Sequence, residues 1–166
     1  MLSIEFIPVQ LFEIIQIQKA ATDIWNAYYL GIISQDQIDY MLRMMYEPGV
    51  IEKEIQSGVC WEFIEYNNKR IGFLSYYFEA AKRKIKLSKL YIYPQYHGKG
   101  LGQTTLNYVI SEARKMKAAR VYLTVNKKNI HAINVYMKVG FIKSKSVVMD
   151  IGNGYVMDDY IMQYSI

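Results

Sequence analysis

An α+β fold, with a mixed but mostly antiparallel seven-stranded sheet flanked by about four helices, is what this sequence predicts. Three observations carry that prediction. After one short alternating run, apolar residues at helical spacing fill most of the first third of the chain. Runs of period two then dominate from Val59 to Glu79 and again from Phe141 to Tyr164. Between them a strand passes through a cluster of glycines into a helix, and one further strand and helix follow.

Leu2, Ile4 and Phe6 alternate and predict a first strand, ended by Pro8. From Leu11 the spacing is helical through Ile14, Ile15, Ile24, Trp25 and Tyr28, and Gly31 closes that helix. Ser34 with Gln37 reads as a capping box, followed by Ile38, Met41, Leu42 and Met45 on one face. Pro48-Gly49 stops this second helix, and Val50 to Gln56 adds a short turn. Val59, Trp61 and Phe63 alternate into Asn67-Asn68, a hairpin signal, and a strand returns from Arg70 to about Glu79 before a turn at Lys82 to Lys84. In the next strand Ile85 and Leu87 alternate on odd positions, then Leu90 and Ile92 on even ones. That slip of phase at Ser88-Lys89 fits either a β-bulge or an apolar residue on the outer face. The helix after the glycines buries Leu106, Val109, Ile110 and Ala113 and exposes Glu112, Arg114 and Lys115. Val121, Leu123 and Val125 form a strand, and Asn129 stands at an N-cap before Ala132, Ile133, Tyr136 and Met137, with Gly140 ending the helix. Phe141 to Val148 and Tyr155 to Tyr164 are the last two strands, joined through Asp150 to Gly154.

The passage Tyr93-Pro94-Gln95-Tyr96-His97-Gly98-Lys99-Gly100-Leu101-Gly102 has the most functional content. Three alternating glycines between a strand and a helix let the backbone approach a bulky anion. The first helical N–H groups then point at it, and the helix dipole favours its charge. A phosphate or pyrophosphate ligand is the functional reading; a plain turn is the competing one. Two other phosphate loops fit poorly. A Walker loop needs Gly-Lys followed by Ser or Thr, whereas Lys99 precedes Gly100. A dinucleotide fingerprint needs G-x-G-x-x-G early in the chain, and here the spacing is G-x-G-x-G and late.

A length of 166 residues suits one domain, residues 1–166, with a substantial core. No segment has the length and apolarity of a membrane span, and Met1-Leu2-Ser3-Ile4-Glu5 lacks the basic start and apolar run of a secretory signal. The single Cys60 excludes an internal disulfide and suits a reducing, cytoplasmic setting. Two His and one Cys make a protein zinc site a poor expectation. The formal charge of +5 is scattered over Lys82-Arg83-Lys84, Lys127-Lys128, Lys143 and Lys145 rather than drawn into one stripe. A polyanionic cofactor together with ordinary solubility explains it as well as nucleic-acid binding does.

Leu90-Tyr91-Ile92, then His97-Gly98-Lys99-Gly100-Leu101-Gly102, then Asn129-x-x-Ala132-x-x-x-Tyr136-x-Lys138-x-Gly140-Phe141 resembles the GNAT superfamily of acetyl-CoA-dependent N-acetyltransferases. The order of elements fits over nearly the whole chain. The resemblance implies the GNAT-type acyl-CoA N-acyltransferase fold, with acetyl-CoA as acetyl donor. The family's loop usually opens with Gln or Arg, and His97 takes that place. The segment from Met149 to Met162, with the helical front half, looks like the bacterial branch that includes spermidine/spermine acetyltransferases.

The resemblance also implies roles. Gly98, Gly100, Leu101 and Gly102 would hold the pyrophosphate, with Lys99 and Gln103 as side-chain helpers. Leu90, Tyr91 and Ile92 would pair with the pantetheine amides like an added strand, and Asn129 would contact that arm from the other side. A backbone N–H near Ile92 would stabilise the charge that builds on the carbonyl oxygen, a contribution of roughly 3 kcal/mol for one donor. Tyr136 matches the general acid that protonates the leaving thiolate; the competing reading makes it a core aromatic in a chain with 16 Tyr. Asn129 is equally an N-cap, and His97 equally an exposed loop residue. The strand Lys84 to Lys89 carries no carboxylate, so the base is water, Glu79, Asp158 or Asp159. Convergence of those acids would suit a cationic amine. The favoured function is N-acetyl transfer to a primary amine by direct attack in a ternary complex, with a small amine or polyamine as acceptor. A protein N-terminus or lysine is one alternative, and a non-catalytic acetyl-CoA-binding regulatory module another. Many members of the family dimerise; the sequence identifies no interface.

Overall fold

The computed structural model describes residues 3–166, so Leu2 of the first alternating run lies outside the described residues. Strand β1 (Ile4–Pro8) is followed by a 3-10 turn at Leu11–Glu13 and helices α1 (Ile14–Tyr28), α2 (Gln35–Tyr46) and α3 (Pro48–Gln56). Strands β2 (Cys60–Tyr66), β3 (Lys69–Glu79) and β4 (Lys84–Ile92) come next, then α4 (Leu101–Lys115), β5 (Arg120–Asn126), α5 (Ile130–Val139), β6 (Ile142–Gly152) and β7 (Tyr155–Ser165). The seven strands form one sheet in the order β1-β2-β3-β4-β5-β7-β6. The β4–β5 pair is parallel, and β1–β2, β2–β3, β5–β7 and β6–β7 are antiparallel. No helix among the described residues is long and apolar enough to cross a membrane.

The chain resolves into two compact units. One holds residues up to Tyr76 together with Lys89–Lys99; the other holds Tyr77–Ser88 and Gly100–Ile166. In the first, α1 buries Ile17, Ala21, Ile24 and Trp25, while Leu11 and Ile15, at helical spacing in the sequence, stay largely exposed. Ser34 caps α2 by accepting the Gln37 N–H at 3.2 Å. The structure has five helices rather than four, because Pro48 does two things at once. It cannot continue α2, yet at the first position of a new helix its missing N–H costs nothing and its φ is already set. Glu47 takes an extended conformation between the two, and α3 buries Ile51.

The β3 residue Gly72 records a close approach of backbones. A Cβ there would stand 2.1 Å from the carbonyl oxygen of Tyr91 and 2.9 Å from Cα of Ile92. Around it lies an aromatic cluster. The Tyr91 ring is 5.7 Å from Trp25, 6.2 Å from Tyr29 and 5.6 Å from Phe73. Along β4 the inward row is Ile85, Leu87 and then Lys89, so the odd phase continues past Ser88. The slip expected at Ser88-Lys89 comes between Lys89 and Ile92. Lys89 holds the inward position because its ammonium lies against the rings of Trp61 and Tyr46, 5.4 and 5.8 Å from their centroids.

In the second unit Val121, Leu123 and Val125 of β5 are buried, and so are Leu106, Val109, Ile110 and Ala113 of α4. The β5–β7 register pairs Val121 with Tyr164, Tyr122 with Gln163 and Asn126 with Asp159. Strand β6 is mostly exposed, as an edge strand carrying Lys143 and Lys145 can be. The β6–β7 hairpin is tighter than the sequence suggests. Both strands run up to Asn153-Gly154, whose φ values of 54° and 77° fit a two-residue turn.

Gly72→Ala should destabilise the protein by about 3 kcal/mol, at the upper end for overpacking, because backbone rather than a side chain stands in the way. Gly49→Ala, a helical site with nothing within 4 Å, is the control and should be neutral or stabilising. Urea unfolding of both variants checks this.

Candidate active site

The glycines of the anion-binding passage do different work. Gly98 and Gly100 have φ of 76° and 75°, the left-handed region that a side chain would strain. Gly102 is helical, and a Cβ there would meet Val135 Cγ1 at an ordinary 3.6 Å, so it sets the spacing of α4 against α5. Gly100 is the N-cap of α4 and gives it no side-chain acceptor. A helix leaves its first N–H groups without intrahelical partners. Those of α4, through Leu101, Gly102 and Gln103, are therefore presented by a 15-residue helix that supplies no side chain from its own N-cap. That is what a pyrophosphate requires.

His97 is not the exposed loop residue of one reading. Its Nε2 is 2.8 Å from the Ile92 carbonyl oxygen, and its ring packs edge-on to Tyr28 at 5.8 Å. It ties the loop back to the end of β4. Proline 94 opens a single 3-10 turn within this loop, and the Tyr93 N–H donates to the Ile71 oxygen at 2.9 Å. The Lys99 ammonium lies 5.3 Å from the centroid of the Tyr96 ring. Leu90, Tyr91 and Ile92 close β4, with Ile92 buried and the other two half-buried. The Tyr91 ring belongs to the aromatic cluster, which leaves its backbone as the part suited to pairing with an extended ligand.

In the second unit the β4–β5 ladder runs only from Lys84–Arg120 to Lys86–Tyr122. Beyond Tyr122, β5 continues to Asn126 and leads to Asn129, which is 5 % exposed and caps α5 by accepting the Ala132 N–H at 3.2 Å. Tyr136 is half-buried on α5, not deeply buried, and its ring lies 5.9 Å from Phe141. Phe141 in turn lies 5.6 Å from Tyr164, on the apolar face with Val121. The structure thus brings Gly100–Gln103, Asn129 and Tyr136 onto two packed helices, and Leu90–Ile92 and His97 onto one strand end and its loop.

The three carboxylates weighed as bases do not converge. Glu79 accepts the Tyr122 hydroxyl and pairs with Lys82 at 3.3 Å; the Tyr122 bond holds its carboxyl below the usual range. Asp158 is paired with Lys127. Asp159 is different. It is fully buried, and neither carboxylate oxygen has a hydrogen-bond partner. Burial pushes its pKa up to about 6; the charge of Asp158 adds to this and Lys127 opposes it. Asp159 sits opposite Asn126, and Glu79 bonds to Tyr122, four residues and roughly 13 Å away along β5. No group of three or more His, Cys, Asp or Glu among the described residues could hold a metal ion.

The model of the acetyltransferase (GNAT) family matches residues 19–141. The chain belongs to this family. Its GNAT fold is shared with the PaiA N-acetyltransferase of Thermoplasma acidophilum, solved in complex with coenzyme A. That chain superposes with a TM-score of 0.82 at 25% identity, over 99% of both chains. A spermine/spermidine N(1)-acetyltransferase of Bacillus subtilis is 35% identical over 135 residues, 74% of this chain and 85% of that protein. An uncharacterized N-acetyltransferase of Mycobacterium bovis, Mb2688, is 38% identical over 80 residues, 48% of this chain; the matched region spans about half, 51%, of that protein.

His97→Ala removes the tie to Ile92 and should cost about 1 kcal/mol of stability, measured by urea unfolding. If the loop is held elsewhere, stability will be unchanged.

Proposed function

We propose that this GNAT protein transfers an acetyl group from acetyl-CoA to a primary amine by direct attack in a ternary complex, with a polyamine as the preferred acceptor. The observation that carries the reading is the pair of left-handed glycines, Gly98 and Gly100, leading into a helix without a side-chain cap. The names of the Bacillus relative and of a Thermoplasma acidophilum spermidine N(1)-acetyltransferase, 27% identical over 145 residues, support the choice of acceptor.

Acetyl-CoA supplies the acetyl group as a thioester. Gly98 to Gly102 and the first turn of α4 hold its phosphates through backbone N–H groups, with Lys99 and Gln103 beside them. The main chain of Leu90 to Ile92 orients the pantetheine arm, and Asn129 adds a contact while capping α5. The Tyr136 hydroxyl gives its proton to the departing sulfur.

Asp159 is the proposed base, accepting the proton of the acceptor ammonium directly or through one water. A buried carboxylate without a partner is costly and needs a cation or a proton. Its pKa near 6 leaves it ionised at neutral pH and still basic enough to act. Its cross-strand partner Asn126 is five residues from Val121 on β5, so Asp159 and the Tyr136–Phe141–Tyr164 rings belong to opposite faces of the sheet.

Two substitutions test these roles. Tyr136→Phe should lower kcat by at least about a hundredfold with little change in affinity for CoA, and an unaltered kcat with chemistry rate-limiting would remove it as the acid. With Asp159 as base, kcat/KM should rise with pH through about 6 and level off. Asp159→Asn should abolish that limb and most of the activity. It should also stabilise the protein. Between pH of about 4 and 6 the folded state binds the proton that the unfolded state has lost, so stability falls as pH rises. The variant should recover that loss, at most about 3 kcal/mol at pH 7. Full activity in a stabilised variant would leave Asp159 as a structural acid only. A panel of polyamines, other primary amines and peptides, read by CoA release, tests the acceptor. Turnover on peptides alone would overturn the polyamine reading, and none on any amine the catalytic one.

A further inference from the structure

We propose that the polar face of the sheet in the second unit carries a binding site for a small anion with two or more phosphate groups, separate from the acetyl-transfer machinery. A cavity of about 460 Å³ opens there, within the range of small-molecule pockets. Four cations line it: Lys82, Lys84, Arg120 and Lys145, with Glu79 as the one carboxylate. None of its lining residues belongs to the glycine passage, α4 or α5.

The charges in this cavity are not balanced. The Glu79 carboxylate is engaged by Lys82 and the Tyr122 hydroxyl. Among the described residues no carboxylate stands in salt-bridge reach of Lys84, Arg120 or Lys145. Lys84 and Arg120 are, moreover, directly opposite each other in the β4–β5 ladder, where like charges are destabilising. Lys86 adds a fifth cation beside them, 6.0 Å from the Tyr122 ring centroid, with Lys84 at 5.9 Å from the same ring. Cations gathered from two adjacent strands and facing one concavity create a potential that a multivalent anion relieves.

The chemistry favours phosphate groups. Arg120 already hydrogen-bonds Gln163 at 3.3 Å and so presents an oriented fork at one side, with lysine point charges around it. The number of uncompensated cations exceeds what a single monoanion would need. The site is a cavity between side chains rather than an extended stripe, which suits a small molecule and not a nucleic-acid backbone.

Inorganic tripolyphosphate is the probe, titrated calorimetrically into protein saturated with CoA, so that the glycine loop is already occupied. Saturable binding that weakens as salt rises is expected. Lys84→Gln and Lys145→Gln should each weaken it, and together by about tenfold or more, with CoA affinity and circular dichroism unchanged. Lys145 is exposed on the edge strand, so its variant tests the site without disturbing the core. No binding to the CoA-saturated protein would overturn the proposal, as would binding indifferent to both substitutions. Citrate binding as tightly as tripolyphosphate would overturn the phosphate assignment. If Lys145→Glu changes the mass in sedimentation while tripolyphosphate does not bind, the face is a subunit contact and the proposal fails.

Discussion

The N–H groups of the first turn of α4 need acceptors, and the N-cap before them supplies none. Among the other α-helices of the described residues, Ser34 caps α2 and Asn129 caps α5, while the N-caps of α1 and α3, Glu13 and Glu47, make no side-chain cap bond and Pro48 removes one N–H from α3. At α4 the cap is Gly100, which has no side chain to give. A helix start without such an acceptor depends on groups outside its own cap to satisfy those donors. Gly98 and Gly100 bend the backbone where side chains would strain it, and His97 is tied to the Ile92 carbonyl.

The sheet of the second unit separates its chemistry by face. The odd residues of β5 face an apolar layer that reaches Tyr136 through Tyr164 and Phe141. The even residues face a polar layer with cations at the Arg120 end and a buried carboxylate opposite Asn126. Neither end is electrostatically at rest. Like charges face each other across the ladder at one end, and a carboxylate without partners is desolvated at the other. Groups kept in such a state mark places where a ligand or a proton completes the structure.

Most of the fold was legible because period-two and period-3.6 patterns survive where one face meets the core. The exceptions have physical reasons. The third helix hid behind Pro48, which reads as a stop although it is also a favoured start. The phase of β4 misled because Lys89 looks like an outward residue, yet its ammonium lies inward against the rings of Tyr46 and Trp61. In the candidate site the glycines stood out by spacing, and Asn129 and Tyr136 by their resemblance to the GNAT pattern. His97 did not, because its partner is a backbone carbonyl, and carbonyls are the same in every sequence. The carboxylates could be named but not ranked, since ranking depends on burial and partners.

By itself the sequence determined most of the order of elements and the glycine spacing ahead of α4, and it nominated the residues proposed to carry a proton or a phosphate. These are local: left-handed backbone, capping and periodicity depend on residues a few positions apart. Only the tertiary structure decided the rest. Strand register set Asp159 against Asn126 in a dry environment and left Glu79 tied to Tyr122; it also set Lys84 against Arg120. Solvation and Coulomb energies depend on distances through space, and those distances are set by which strands become neighbours.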